Sequence, residues 1–124
     1  MPPENFFNID DLSAGIAREL AEGIETRIIN GDHAMVSIVR IEPNKKGTWH
    51  HHPEEQWGFC LEGSGTRFQG GESVEISIGD FWRTPGGVPH TIESGKDGLV
   101  VIDVFAPPRK AYEKASAGFG AEEE

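Results

Sequence analysis

Short apolar runs separated by turn residues make up most of this chain, and they predict strands. Residues 24–29 and 34–42 are two such runs, and Asn30-Gly31-Asp32 between them predicts a hairpin turn, because Asn-Gly tolerates positive φ at both positions. Glycine-rich turns then recur through the second half of the chain, at residues 63–65, 70–71, 77–80, 85–87 and 95–98. Turn signals at this density, with no second helical pattern, predict an all-β antiparallel barrel or sandwich.

The amino-terminal stretch is the exception, since its apolar residues follow a helical spacing. Leu12, Ile16 and Leu20 recur within the range Asp10–Glu22, acidic residues and a serine offer start signals, and Gly23 offers a stop. We therefore expect one short helix before the barrel.

The chain divides into three segments on this pattern. Residues 1–22 form an amino-terminal segment with the short helix, and residues 23–112 form the barrel. After a double proline the composition shifts to small and acidic residues, so we expect residues 113–124 to be a flexible acidic tail.

Two of the predicted strands are apolar on both faces, which a sheet with one face in water would not need. The side chains that we expect to point into the barrel are Gln56, Gly58, Cys60, Val101, Asp103 and Phe105. Those left on the outside are Trp57, Phe59, Leu61, Val100, Ile102 and Val104. An apolar outer surface of this kind favours a homodimer, because a second subunit would cover it.

Composition and charge argue against some classes of binding partner. A chain of 124 residues is one domain, and a net charge of −10 argues against nucleic acid and anionic membranes, which need a basic patch. No apolar run approaches the roughly 20 residues of a membrane span, and the amino terminus lacks the pattern of a signal peptide. We expect a cytoplasmic protein with a small-molecule partner. Cys60 is the only cysteine, and we expect it to be a buried thiol.

Three histidines are candidates for metal binding. His50 and His52 are two apart on a predicted strand and therefore share a face, and His90 follows a second strand and turn. Imidazole binds zinc, nickel, copper and iron alike, so the pair can serve one ion. Histidine pairs are also common on solvated surfaces, and a metal-free barrel would keep them for packing. His51, on the opposite face, and His33, in a turn, are expected to be structural or solvent-exposed.

The spacing around these histidines resembles the paired motifs of the cupin superfamily. The first motif is matched by His50-x-His52-x3-Gln56-x6-Gly63, and the second by Gly79-x5-Pro85-x-Gly87-x2-His90. This resemblance implies a cupin double-stranded β-helix, a jelly-roll barrel. Gln56 stands where the first motif has glutamate, and Ser94 stands where the second has asparagine.

The resemblance implies that His50, His52, Gln56 and His90 hold one divalent transition metal: zinc, nickel, iron or manganese. With no carboxylate among the ligands, the ion would keep its full charge and polarise a bound oxygen strongly, which favours Lewis-acid chemistry. Oxygen chemistry is disfavoured, because the arrangement of two histidines and one carboxylate suits it better.

A more specific resemblance is to the KdgF family, small cupins that convert 4,5-unsaturated uronates to open-chain keto forms. It rests on residues 23–27, on the segment around His52-Pro53-Glu54-Glu55-Gln56 and on the D-x-F-x3-R pattern at residues 103–109. The family often has a histidine where this chain has Glu54. We expect Glu54 and Glu55 to face solvent.

The KdgF resemblance implies roles for three further residues. Asp103 would be the acid/base catalyst, Phe105 would pack against the sugar, and Arg109 would bind the substrate carboxylate and assist catalysis. The alternative is that Asp103 and Arg109 form a structural ion pair that closes the barrel rim. Tyr112 lies after the double proline and is expected outside the barrel, which argues against a lyase with a tyrosine base.

Three functions follow from this pattern. The leading hypothesis is a metal-dependent isomerase acting on a small acidic sugar or related carbonyl compound. The second is a metal-dependent dioxygenase acting on a small molecule, which requires a redox-active metal. The third is a barrel that binds a small molecule without catalysis.

Overall fold

Antiparallel strands account for nearly all the regular structure of this protein. A computed structural model describes residues 3–120. The strands in it are β1 (Ile16–Ala21), β2 (Ile24–Asn30), β3 (Met35–Ile41), β4 (Glu55–Gln69), β5 (Glu72–Ser77), β6 (Phe81–Thr84) and β7 (His90–Ala106). A single 3-10 turn at Lys110–Tyr112 follows them. The all-β jelly-roll barrel is confirmed.

The two longest strands, β4 and β7, form the centre of the sheet. The sheet order is β1-β2-β3-β7-β4-β5, and β6 pairs with β4 as well. The carboxyl half of β7 pairs with β3 and with the start of β4, while its amino half pairs with the end of β4. An isolated bridge between His50 and His90 also brings the approach to β4 beside the start of β7, and the three candidate histidines come from these two places.

The interior of the barrel is apolar along most of its length. Gln56 and Cys60 on β4 and Val101 and Phe105 on β7 are buried, as the alternation predicts. The other buried apolar residues that form this core are Leu20, Ile24, Ile28, Met35, Val39, Ile41, Ile76, Ile92, Leu99, Ala111 and Tyr112. Several of these core residues, among them Ile24, Ile92 and Tyr112, also line the small chamber of the candidate site.

The prediction of an amino-terminal helix is wrong. Ile16–Ala21 is strand β1, which pairs antiparallel with β2, and the sheet therefore begins before residue 23. A spacing of four residues is close to one helical turn, but it is also two strand repeats, so the pattern of Leu12, Ile16 and Leu20 fits either structure. Gly23 has φ of +76° and forms the β1–β2 turn instead of ending a helix.

The expectation of a free tail is corrected for residues 113–120. The guanidinium group of Arg18 on β1 donates hydrogen bonds to the carbonyl oxygens of Ala111 (2.6 Å), Ala117 (2.9 Å) and Gly118 (2.8 Å). The Gly118 amide donates in return to the Glu19 carbonyl oxygen at 2.8 Å. Composition did not predict this contact, because its donor is a buried arginine far away in sequence. Residues 121–124 lie outside the described residues.

No helix within residues 3–120 is long and apolar enough to cross a membrane.

The close approach of two turns provides a test of the fold. Gly63 has φ of +79°, and a Cβ there would overlap the Gly98 carbonyl oxygen, whereas Gly79 has φ of +96° and faces open space. We expect Gly79→Ala to lower the free energy of unfolding by about 1 kcal/mol from backbone strain. Gly63→Ala adds a clash and should lower the free energy of unfolding by roughly 3 kcal/mol or more. Denaturant unfolding measures both, and equal costs would contradict the close packing.

Candidate metal centre

Backbone pairing brings the three histidines together. The amide of His50 donates to the carbonyl oxygen of His90 at 3.1 Å, and the amide of His90 donates back to His50 at 2.9 Å. His52 follows two residues after His50, so its ring points to the same side. One ligand nitrogen from each of the three rings lies within 4.8 Å of those of the other two.

Each imidazole ring is oriented by a backbone carbonyl. The Nδ1 atoms of His50, His52 and His90 lie 2.7, 3.1 and 2.8 Å from the carbonyl oxygens of Thr48, Glu54 and Val88 respectively. Because a carbonyl oxygen only accepts, these contacts favour the tautomer with the proton on Nδ1, which leaves the Nε2 lone pair available. This is the usual arrangement of histidines that bind metals.

Gln56 completes the cluster. Its Oε1 lies 3.0 Å from Nε2 of His52. With the proton of His52 on Nδ1, both of these atoms are acceptors and would repel each other without a cation between them. Gln56 also lies next to Asp103, where it lowers the pKa of the carboxyl group and so favours the carboxylate.

The protonation state of the histidines suits a metal. Burial lowers the pKa of His50 and of His52 to about 4 and that of His90 to about 2. All three rings are therefore neutral at pH 7, and the neutral ring is the form that binds a cation.

These residues fit a divalent metal ion. The donor set has three neutral imidazole nitrogens and one amide oxygen, and His90 Nε2 is buried without a hydrogen-bond partner in residues 3–120. An unpaired polar atom of this kind is costly, and a bound ion would remove that cost. His50, Gln56 and His90 line a cavity of about 30 Å³, which has room for an ion or one to two waters.

Asp103, Phe105 and Arg109 line the same cavity. Burial raises the pKa of Asp103 to about 6, although the positive charges of Arg67 and Arg109 oppose this shift. Arg109 is fully buried, and its guanidinium carbon lies 4.2 Å from the centre of the Tyr112 ring and 5.4 Å from that of Phe105. All the sequence-predicted site residues except His52 therefore line one small chamber, and His52 lies beside it against Gln56 and Phe105.

Arg67 is a site residue that the sequence analysis missed. Only 5% of it is exposed, and its Nη2 donates to Thr84 Oγ1 at 3.0 Å. Burial lowers its pKa to about 10, so it stays charged at pH 7 beside Asp103. The register of β4 shifts between Cys60 and Glu62, which turns odd-numbered residues inward beyond that point. Counting from Gln56 therefore places Arg67 on the wrong face.

Two other expectations are corrected. Tyr112 lies inside, with 2% exposure, and burial raises its pKa to about 12. Glu54 is buried as well, and its Oε1 lies 3.4 Å from Nδ1 of His52, where a carboxylate can fix the orientation of the ring. His51 and His33 are exposed and Cys60 is buried, as expected.

Comparison with known proteins agrees with this geometry. The family described as "Cupin domain" matches residues 37–105, more than half of the chain. This chain belongs to the cupin family.

Individual relatives of this cupin cover most of its length. The pectin degradation protein KdgF of Dickeya dadantii is 31% identical over 96 residues, which are 76% of this chain and 87% of that protein. The structure of KdgF from Halomonas sp. has a TM-score of 0.73 at 25% identity and covers 85% of this chain and 94% of that one. The resemblance to KdgF is confirmed.

A second curated relative is much longer. Oxalate decarboxylase OxdC of Bacillus subtilis is 29% identical over 96 residues, covering 73% of this cupin. The match covers 24% of that relative, so this chain spans only about a quarter of its length.

Metal content tests the histidine cluster directly. We expect the purified protein to hold about one divalent metal per chain, and His50→Ala with His52→Ala to abolish this by removing two ligands. His51→Ala, at the exposed position between them, is the matched control and should keep its metal. Elemental analysis beside a melting curve gives the answer, and full occupancy in a folded double variant would refute the ligand assignment.

Proposed function

We propose that this cupin is a metal-dependent enzyme of the isomerase type that opens 4,5-unsaturated uronates to their keto forms. The observation that carries the proposal is one chamber in which Asp103 and Arg109 lie beside the three-histidine cluster. The similarity to two KdgF proteins, one of them named for pectin degradation, supports the same class of substrate.

His50, His52, His90 and Gln56 would hold the metal, which we propose to be a single divalent transition ion. When bound there, such an ion supplies a Lewis acid that polarises a substrate oxygen. The amide of Gln56 links this site to Asp103 through its hydrogen bond. The ligand shell and the proposed acid/base are therefore held in one fixed arrangement.

Asp103 is suited to moving protons in both directions. An isomerisation returns to one substrate atom the proton that it takes from another, so a single carboxyl group that accepts and then donates is sufficient. A general acid or base works best when its pKa is near the working pH, and burial raises the pKa of Asp103 towards that range.

Arg109 and Phe105 would bind the sugar acid. A buried guanidinium group pairs with a carboxylate through two parallel hydrogen bonds, and the surrounding low dielectric strengthens that pairing. Phe105 packs edge-on against the ring of His52, with 5.5 Å between the ring centres, so an apolar surface lies next to the ligand cluster. A flat sugar ring has one apolar face that can lie against it.

Kinetics of Asp103→Asn test the catalytic role. The change keeps shape and hydrogen-bonding capacity, so metal and fold should survive, while turnover of a 4,5-unsaturated uronate should fall by roughly 10²-fold or more. Steady-state rates, metal content and melting temperature are measured together. Normal turnover by the variant would make Asp103 a structural residue, and oxygen consumption by the parent protein would favour a dioxygenase instead.

Arg109→Lys is the matched variant for the same experiment. Lysine keeps the positive charge but loses the planar pair of donors. It should mainly raise KM if Arg109 grips the carboxylate equally in the ground and transition states. Ligand-dependent melting without any turnover in the parent protein would indicate a non-catalytic binding barrel.

We also propose that this cupin is a homodimer. Phe59 and Phe81 stack on the outer surface, with their ring centres 5.5 Å apart, and remain 37% and 63% exposed. Trp57 and Ile102 lie half-buried beside them in the sheet. An exposed aromatic pair on an apolar sheet face is typical of an interface between subunits.

Sedimentation at micromolar concentration tests the dimer. We expect a dimer for the parent protein and a monomer for Phe81→Glu, because the new charge would be buried without a partner. Val74 is also apolar and exposed but lies on β5. Val74→Glu is therefore the control and should stay dimeric. A monomeric parent protein would contradict the proposal.

A further inference from the structure

The stretch Ala117-Gly118-Phe119-Gly120, which we call the plug, reaches the chamber beside the histidine cluster through the side chain of Phe119. The ring of Phe119 stacks on the imidazole of His50, with 4.6 Å between their centres and 28° between their planes. Phe119 also lines the small cavity. The plug therefore lies directly over one of the proposed metal ligands.

Hydrogen bonds to two buried arginines hold the plug. Nη2 of Arg109 donates to the Phe119 carbonyl oxygen at 2.6 Å, and Arg18 donates to Ala117 and Gly118 as described above. These bonds are charge-assisted, but they end on neutral carbonyl oxygens. A carboxylate is the stronger partner for a guanidinium group.

Glycine allows the plug to pass close to Arg109. Gly120 has φ of +82°, and a Cβ at this position would lie 2.7 Å from Cβ of Ala111 and 3.2 Å from Nη2 of Arg109. Any larger residue would lift the chain away from the guanidinium group. Glycine at position 120 thus allows the plug to pack tightly against Arg109.

The closed chamber is too small for a sugar. A volume of about 30 Å³ holds one or two waters, and a six-membered ring with a carboxylate is several times larger. Some of the lining side chains must therefore move before a uronate can reach Arg109 and the histidines. Phe119 is the candidate that we choose, because it is only partly buried and lies outside the strands.

We propose that the plug is an autoinhibitory closure, which an anionic ligand opens by taking Arg109 from the Phe119 carbonyl oxygen. The identity of that ligand as a sugar acid rests on the proposed function, whereas the closure itself does not. The ligand and the plug compete for one guanidinium group, so the ligand shifts the plug towards its open position.

Metal release tests the closure without any substrate. Zinc-loaded protein is mixed with excess EDTA, and the rate of zinc loss is followed. Two variants are compared with the parent protein: Phe119→Ala and a chain that ends at Ser116. We expect each to release zinc about tenfold faster or more, because release no longer requires local opening of the plug. Phe7→Ala removes an exposed aromatic ring that is absent from the site and should match the parent protein.

Binding of D-galacturonate, measured by calorimetry, tests the competition for Arg109. We expect about tenfold tighter binding by the shortened chain, since the ligand no longer displaces the plug. Neutral D-galactose lacks the carboxylate and should show no such gain. Faster zinc release without any galacturonate binding would support the plug but overturn the sugar-acid proposal.

The opposite result would overturn the plug itself. If Phe119→Ala and the shortened chain both keep the parent melting temperature and release zinc at the parent rate, the plug does not control access. If one variant fails to fold, the other still decides, because one removes only the ring and the other removes the backbone contacts.

Discussion

The reciprocal backbone hydrogen bonds between His50 and His90 are the constraint on which the site depends. They join the approach to β4 with the first residue of β7, so two segments far apart in sequence supply ligands to one point. The long β4–β7 ladder fixes the remaining geometry, since Gln56 pairs with Phe105 and Gly58 with Asp103 along it. Strand pairing therefore positions the histidine cluster, Gln56, Asp103 and Phe105 relative to one another.

The net charge of the side chains that line this site is positive, whereas that of the whole chain is negative. The chain carries a net charge of −10. Among residues 3–120, the charged side chains that line the chamber are Arg67, Arg109 and Asp103, and the histidines are neutral because burial lowers their pKa. A divalent cation would add further positive charge. Such a chamber attracts small anions, while the acidic exterior repels polyanions.

The sequence predicted most strands and the grouping of the three histidines because both depend on local spacing. Alternation and glycine turns are local signals, and the cupin motifs place ligands at fixed intervals along single strands. The failures arise where local spacing is ambiguous or where contacts between distant segments decide the structure. The β1 strand was mistaken for a helix because a four-residue spacing fits both, Arg67 was missed because of a register shift, and the buried position of Tyr112 depends on packing against Phe105.

The position of Arg109 explains how one group can serve both closure and binding. A buried cation needs compensation, and the faces of Tyr112 and Phe105 supply part of it through their negative ring potential. This contact uses the flat surface of the guanidinium group and leaves its edge to donate hydrogen bonds. The Phe119 carbonyl oxygen accepts the hydrogen bond from Nη2 in the closed chamber, and a substrate carboxylate would compete for that donor. The contact with Tyr112 and Phe105 therefore stabilises the guanidinium group whether the plug or the ligand is bound to it. The two compete for the hydrogen-bond donors at its edge.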